Sequence, residues 1–293
     1  MRLMTRLPDG VLTGLVALST LFVSTPLLAE AQPPANVHWA YSAYFGTGWY
    51  SVDGDRDVFI VRLTPEWELS ESSLKNGERR LGWYLRTPVS TGLDQFTKDE
   101  LIEAVDLDNV AFLSINPALE VEVPINERWA LRPYASVGYG RALNSSEDAW
   151  TYWAGIKSRV TLHAGEKSTW QLINQLGYVG YTPGKGKDDE FWPVMAGLEV
   201  SHPYGQTADD QRGWLLHWKI GYTYFGNDVF FSRAPSASKD ISDQWEIGAG
   251  LGRRDERIKI WFLSFDRLGI GYRSSSNGAL SGVSFFFRSA FER

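Results

Sequence analysis

The chain of 293 residues has no cysteine and only four histidines. Without cysteine there is no disulfide framework, no thiolate nucleophile and no cysteine-based metal centre. The histidines (His38, His163, His202 and His217) are scattered, which leaves little for imidazole chemistry. Long apolar runs are also missing. After residue 31 nothing approaches the roughly 18–20 residues that a membrane helix needs. Neither a phosphate loop nor a dinucleotide fingerprint occurs, so no cofactor is expected. The net charge of −6 carries no footprint for nucleic acid. What is abundant is aromatic: 13 Trp and 13 Tyr, alongside 28 Gly.

Residues 1–31 stand apart. Arg2 and Arg6 precede an apolar stretch over 11–28, then Ala29, Glu30 and Ala31 follow. A basic start, an apolar centre and small exit residues make a secretory signal. An anchor helix is the other reading, and Thr13, Ser19, Thr20, Ser24, Thr25 and Pro26 thin the hydrophobicity it would need. Cleavage after Ala31 is expected, leaving one large all-β domain over 32–293.

From Val37 onward, apolar and polar residues alternate in segments separated by turn-forming clusters. Period-two alternation places successive side chains on opposite faces of a strand. The first segment, 37–51, puts Val37, Trp39, Tyr41, Ala43, Phe45 and Trp49 on one face. Later segments repeat the pattern around Phe59, Trp83, Leu113, Leu131, Trp150, Leu172, Val194, Leu216, Ile247, Ile258 and Phe285. About twelve strands result, an even number as in bacterial single-chain barrels. The eleventh, built on Ile258, Ile260 and Phe262, would place Asp266 on the apolar face, so a bulge or early exit is expected there.

The aromatic positions separate a membrane barrel from a soluble sandwich. In a barrel the apolar face meets lipid and aromatic residues gather at both interfaces. Trp39, Trp67, Trp129, Trp170, Trp214 and Phe291 fall at one level, Trp49, Trp150, Trp192, Tyr224 and Tyr272 at the other. The opposite faces carry Arg62, Glu66, Glu68, Arg80, Arg86, Glu120, Glu122, Arg132, Lys157, Arg159, Glu199, His217, Lys219, Glu246, Arg257, Lys259 and Arg288. Brought together in a lumen, these charges must pair or be solvated, and a network narrowing or closing the lower lumen is expected. Gly138, Gly140, Gly248 and Gly250 would leave space above it. The plainer account, a solvated polar face, explains the charges but not the tryptophans.

Gly282, Phe285 and Phe287 have the spacing of the signal read by the barrel-assembly machinery, with Phe291 as a late aromatic. The chain then continues through Glu292 and Arg293 without a final aromatic. With export signal, strand count and last strand together, the segment 37–291 resembles the translocator barrel of autotransporters, and in particular the solitary barrels that lack a passenger. Only 32–36 separates the expected cleavage site from the first strand, too little for a passenger or a pore-threading helix. The resemblance implies a Gram-negative outer-membrane protein in contact with lipid and lipopolysaccharide. It would act without enzymatic activity, as a narrow pore or a structural or surface-interaction protein; its oligomeric state is not implied.

A rival class is an outer-membrane enzyme acting on lipid or lipopolysaccharide, and another is a small-solute channel. A lipase needs a Ser–His pair with an orienting partner. Ser201 and His202 are adjacent in a strand and so face opposite ways. Asp53, Asp55 and Asp57 resemble the opening of a calcium loop but lack its glycine and closing glutamate. Lys185, Lys187, Asp188, Asp189 and Glu190 form a charged loop suited to a lipopolysaccharide surface. Thr97 and Glu100 make a capping box, which predicts a helix over 96–106 in a loop, packed on the rim rather than closing the mouth.

Overall fold

The computed structural model describes residues 45–52, 56–94, 110–143, 147–165, 167–184, 188–204, 213–229, 240–253, 258–260 and 263–292. The expected signal peptide, Trp39, the 96–106 helix, Asp53, Asp55, Lys185, Lys187 and Arg257 lie outside them.

Sixteen hydrogen-bonded segments form twelve strands of one closed antiparallel barrel. These are β1 (Gly48–Val52), β2 (Arg56–Leu63 and Glu66–Ser70), β3 (Gly82–Arg86 and Val89–Asp94), β4 (Val110–Ile115 and Ala118–Asn126), β5 (Trp129–Ala142) and β6 (Asp148–Ala164). The other half is β7 (Thr169–Pro183), β8 (Asp189–Phe191 and Pro193–Tyr204), β9 (Trp214–Val229), β10 (Ile241–Arg253), β11 (Arg267–Ser274) and β12 (Leu280–Phe286). Each strand pairs with its neighbour in sequence, and β12 closes on β1 with Gly48 opposite Ser284 and Val52 opposite Leu280. Closure leaves no edge with unpaired backbone groups, which a lipid environment demands. The end with the tight turn between β4 and β5 is called lower below, and the opposite end upper.

Four strands are interrupted at prolines, because proline cannot donate to the ladder. Pro65, Pro88 and Pro117 stand at one level on β2, β3 and β4. Their carbonyls accept from Thr87, Asn116 and Val137 of the next strand at 3.0, 2.9 and 3.3 Å. Register survives each break: Leu63 faces Val89 and Glu66 faces Arg86, so no residue is gained or lost. The inward and outward sets therefore stay in phase across each break.

Outward side chains are apolar and exposed, including Leu85, Leu113, Leu119, Val137, Ile156, Leu176, Val194, Ile220, Ile247 and Ile270. Aromatic residues mark both ends of this band. Trp67, Trp129, Trp170 and Trp214 stand low; Trp150, Trp192, Tyr224, Trp245 and Tyr272 stand high. Several form cross-strand pairs, with ring centroids 5.4 Å apart for Tyr139–Trp150 and 4.6 Å for Tyr222–Trp245. Such pairs each add about 0.5–1.5 kcal/mol to the sheet.

Two expectations need correction. The eleventh strand is not 258–262: among the described residues Ile258–Ile260 pairs only with Leu263–Phe265, in a separate small hairpin, and β11 starts at Arg267. Asp266, at the bend between them, resets the alternation, so that Leu268, Ile270 and Tyr272 face outward. Lys259 therefore belongs to a hairpin outside the barrel sheet. The 70–79 connection, long for a lower turn, is itself a hairpin of Ser73–Lys75 and Glu78–Arg80. Asn76 (φ 52°) and Gly77 (φ 81°) supply the two left-handed residues of its turn. Finally, Phe45 does not face lipid. It is fully buried inside, 4.7 Å from the Tyr50 ring.

The glycines leave less open space than their composition suggests. The Phe286 ring lies over Gly248, Gly250 and Gly269, and a Cβ on Gly269 would come 2.1 Å from the ring. Gly138 is likewise covered by the Asn116 side chain. Gly269→Ala is therefore expected to cost about 1–3 kcal/mol, with part of the loss recovered in Gly269→Ala/Phe286→Ala. Urea unfolding of the refolded barrel measures both; equal loss in the single and double variants would refute the contact.

Candidate functional site

Strand alternation delivers the charges to one place. Residues 66, 86, 120, 122, 132 and 157 are inward positions on β2 to β6, at heights set by the shared register. At their centre is Glu120. One carboxylate oxygen accepts from Lys157 Nζ at 3.2 Å and from Arg86 Nη1 at 3.3 Å, and the other lies 3.6 Å from Arg132 Nη1. Arg86, among the largest fully buried side chains, also binds Glu66 at 2.6 Å. Glu122 takes Arg132 and the Ser72 hydroxyl, the latter at 2.8 Å, with Arg159 at 3.6 Å. Burying such charges is tolerable only because each carboxylate is met by several donors.

Two smaller groups occupy the facing wall. Glu246 on β10 accepts from Lys219 at 2.6 Å and from Ser284 at 3.2 Å, and Arg273 Nε lies 3.2 Å away as an ion pair. Glu199 on β8 accepts from Arg267 at 3.0 Å, and Arg267 also holds Asp266 at 2.8 Å. Arg267 and Arg273 were missed in the sequence because the eleventh strand was misplaced. The signal was there, in Leu268, Ile270 and Tyr272 alternating with Arg267, Gly269, Gly271 and Arg273.

The lower lumen is closed by the segment after β12. It bends at Phe287 and Arg288 and enters the barrel as the 3-10 turn Ala290–Glu292. Phe291 was expected in the lower aromatic belt. Instead it is fully buried, with the Arg132 and Arg159 guanidinium carbons each 4.6 Å from its ring centroid. It packs with Ala130, Ile173, Met195 and Ala290. Arg288 binds Glu66, and the Ala290 N–H donates to Glu199 at 2.7 Å. The ring is drawn inward because two guanidinium faces outbid an interfacial seat; desolvated cation–π contacts reach about 2 kcal/mol each.

Not every expected charge joins. Glu68 is exposed at the lower rim, and Arg80 is exposed in the hairpin below the barrel. Arg62 lies higher, its guanidinium 5.4 Å from the Trp153 ring. His217 forms no ion pair among the described residues. It shares a 2.7 Å hydrogen bond with Ser201 across β8 and β9, while His202 faces outward. Thus Ser201 does meet a histidine, though not the adjacent one, and His217 Nε2 has no hydrogen-bond partner among the described residues.

The upper lumen is filled by apolar side chains. Tyr50, Val52, Ile60, Phe112, Val179, Phe191, Phe225, Ile241 and Leu280 belong to one buried inward cluster. Between this cluster and the lower turn lies a cavity of about 120 Å³, lined by Arg62, Gln175, Lys219, Gln244 and Arg273 among others. It has room for several waters.

Neutralising the shared carboxylate leaves three buried cations without their common partner. Glu120→Gln is expected to cost about 3–5 kcal/mol, against about 1–2 kcal/mol for Arg159→Gln, which gives up a more exposed ion pair and its seat against the Phe291 ring. Urea midpoints of the refolded variants test the ranking; comparable losses would dissolve it.

No protein-family description matches the chain, and no curated protein matches it. Solved structures do. The translocator domain of the autotransporter NalP from Neisseria meningitidis superposes with a TM-score of 0.54 at 10% identity, covering 81% of this chain and 82% of that one. The β domain of the Bordetella autotransporter BrkA gives 0.49 at 8%, over 82% and 93%. The transport unit of the Escherichia coli autotransporter AIDA-I gives 0.42 at 13%, over 95% and 98%. Of the three, NalP carries the argument, and at this identity it is an argument about fold. The chain is a twelve-stranded antiparallel transmembrane barrel of the outer-membrane type, and it resembles an autotransporter translocator domain.

Proposed function

We propose that this chain is an outer-membrane barrel closed at rest, with a structural or surface-interaction role in a Gram-negative envelope rather than that of an open channel. The observation that carries this reading is the occupied lumen: an apolar cluster fills its upper part, and the turn bearing Phe291 fills the lower. The apolar outer wall between two aromatic levels supports lipid and lipopolysaccharide as its immediate neighbours. Gly282, Phe285 and Phe287 would serve recognition by the barrel-assembly machinery. Phe291 is withdrawn from that role by its burial. An enzymatic role is not favoured. Ser201 and His217 form a dyad, but no carboxylate hydrogen-bonds His217 among the described residues, and the pair faces inward, away from lipid chains.

A narrow gated pore is the second reading, favoured by the polar hold on the lower turn: the Arg288–Glu66 ion pair and one N–H bond can release. Planar-bilayer recordings separate the two. The wild-type barrel is expected to show no stable conductance, and a stable open level would sink the closed-barrel reading. Removal of 288–293 is expected to leave it silent, because the upper cluster still fills the lumen. Stable channels in that truncation, absent from wild type, would establish the gated pore instead.

A further inference from the structure

The seam between β12 and β1 is short. It spans Gly48–Val52, with one further bond from the Phe285 N–H to the Thr47 carbonyl at 2.7 Å. Below that bond β1 leaves the wall. The Thr47 hydroxyl donates to the Arg62 carbonyl and accepts from the Arg62 N–H, both at 3.0 Å. Continuing the register of Gly48 opposite Ile60 would have given those bonds to the Gly46 main chain. The chain bends inward instead, carrying Phe45 into the lumen.

β2 runs on below this point. Glu66–Ser70 pairs with Gly82–Arg86 on one side, and among the described residues no strand pairs with it on the other. The Pro65 carbonyl is turned to β3, where Thr87 donates to it. Alternation therefore turns the main-chain groups of Thr64 and Glu68 the other way, toward that edge. Trp67 and Leu69, exposed on the outer face, place the edge at the lower lipid boundary. Lipid offers backbone groups no hydrogen bond. A further strand satisfies them; an acyl chain does not.

We propose that residues 37–43 of this chain supply that strand, antiparallel to β2, with 44–46 as an inward bulge opposite Arg62. Three residues facing one shift the register by two, which keeps Phe45 inside and leaves the alternation in phase. Ala43 then stands opposite Leu63, Tyr41 opposite Pro65 and Trp39 opposite Trp67. Val37, Trp39, Tyr41 and Ala43 form the face toward lipid, while the main chains of Ser42 and His38 bond those of Thr64 and Glu68. The tether argues for this occupant over a second copy. Residues 37–43 begin one bend away from the edge, at an effective concentration that a free partner does not reach. The inference holds whether or not the barrel conducts.

The chain has no cysteine, so two introduced cysteines can bond within the chain only to each other. Trp39→Cys/Trp67→Cys and Ala43→Cys/Leu63→Cys test the register in the full chain, refolded into phosphatidylethanolamine–phosphatidylglycerol vesicles and oxidised with copper phenanthroline. Heat-modifiable migration on gels selects folded protein, and the second pair spares both tryptophans. Both are non-hydrogen-bonded pairs, about 4.5 Å between Cα atoms and within disulfide reach. Each is expected to form a reducible intramolecular disulfide in most of the folded protein. Tyr41→Cys/Trp67→Cys joins diagonal neighbours about 7–8 Å apart and is expected to bond about tenfold more slowly. Faster bonding of that pair than of Trp39→Cys/Trp67→Cys would overturn the bulge and its register. No intramolecular disulfide in either folded pair would overturn the proposal, as would a disulfide-linked dimer of Trp67→Cys alone, which gives the edge to a second copy.

Discussion

The lower half of the barrel depends on one carboxylate. Glu120 is the counter-ion shared by Arg86, Arg132 and Lys157, which come from three different strands. Each of those cations has a second engagement: Arg86 with Glu66, Arg132 with Glu122, and Lys157 with the Tyr134 ring. Remove the shared charge and the cations face one another in a space with little water. Their mutual repulsion would push apart the strands that carry them. The outer wall offers no compensation, since its apolar residues gain as much from lipid in a distorted barrel as in a regular one. Interior electrostatics therefore fix the cross-section, while lipid contact fixes only which face points out.

The division of labour between the two fillings follows from chemistry. Above, bulky apolar groups such as Phe112, Phe191 and Phe225 occupy the lumen with no directional demand beyond shape. Below, the polar contacts are directional: guanidinium on ring, N–H on carboxylate, ammonium on carboxylate. Phe286 joins the regions. Its ring rests on glycines of β10 and β11, and the Lys219 ammonium stands 3.7 Å from its centroid. The prolines of β2, β3 and β4 sit at the level where the filling changes character. There the ladder is interrupted and Asn116 turns inward, accepting from Thr151 across the lumen face.

Much of this was legible in the chain itself, because alternation in a barrel wall has a single meaning. Trp67, Trp129, Trp170 and Trp214 stand at the lower level, and Trp150, Trp192, Tyr224 and Tyr272 at the upper, as period two requires. Where the reading went astray, tertiary structure had broken the period. Ile258 and Ile260 alternate as well as any strand, yet pair in a side hairpin; only the barrel's height, set by neighbours β10 and β12, decides which stretch is wall. Phe45 and Phe291 failed for another reason. Both lie beyond strand ends, where alternation no longer assigns a face and cation–π contact does: Arg273 lies 5.7 Å from the first ring, and Arg132 and Arg159 hold the second. The pairing of Ser201 with His217 was equally invisible, since it joins residues sixteen apart that only the β8–β9 register brings together.

The in-turned segment after β12 also has a mechanical meaning. Its parent strand belongs to the seam with β1, whereas its anchors lie on β2, β5, β6 and β8, with β6 standing directly across the ring. It is a strut along a diameter. A tube of paired strands resists stretching along its wall but flattens easily under lateral pressure, and a chord tied to the opposite side opposes that mode. Lateral load from the bilayer would then be shared by the seam and the wall facing it, instead of falling on the one pair of strands joined last.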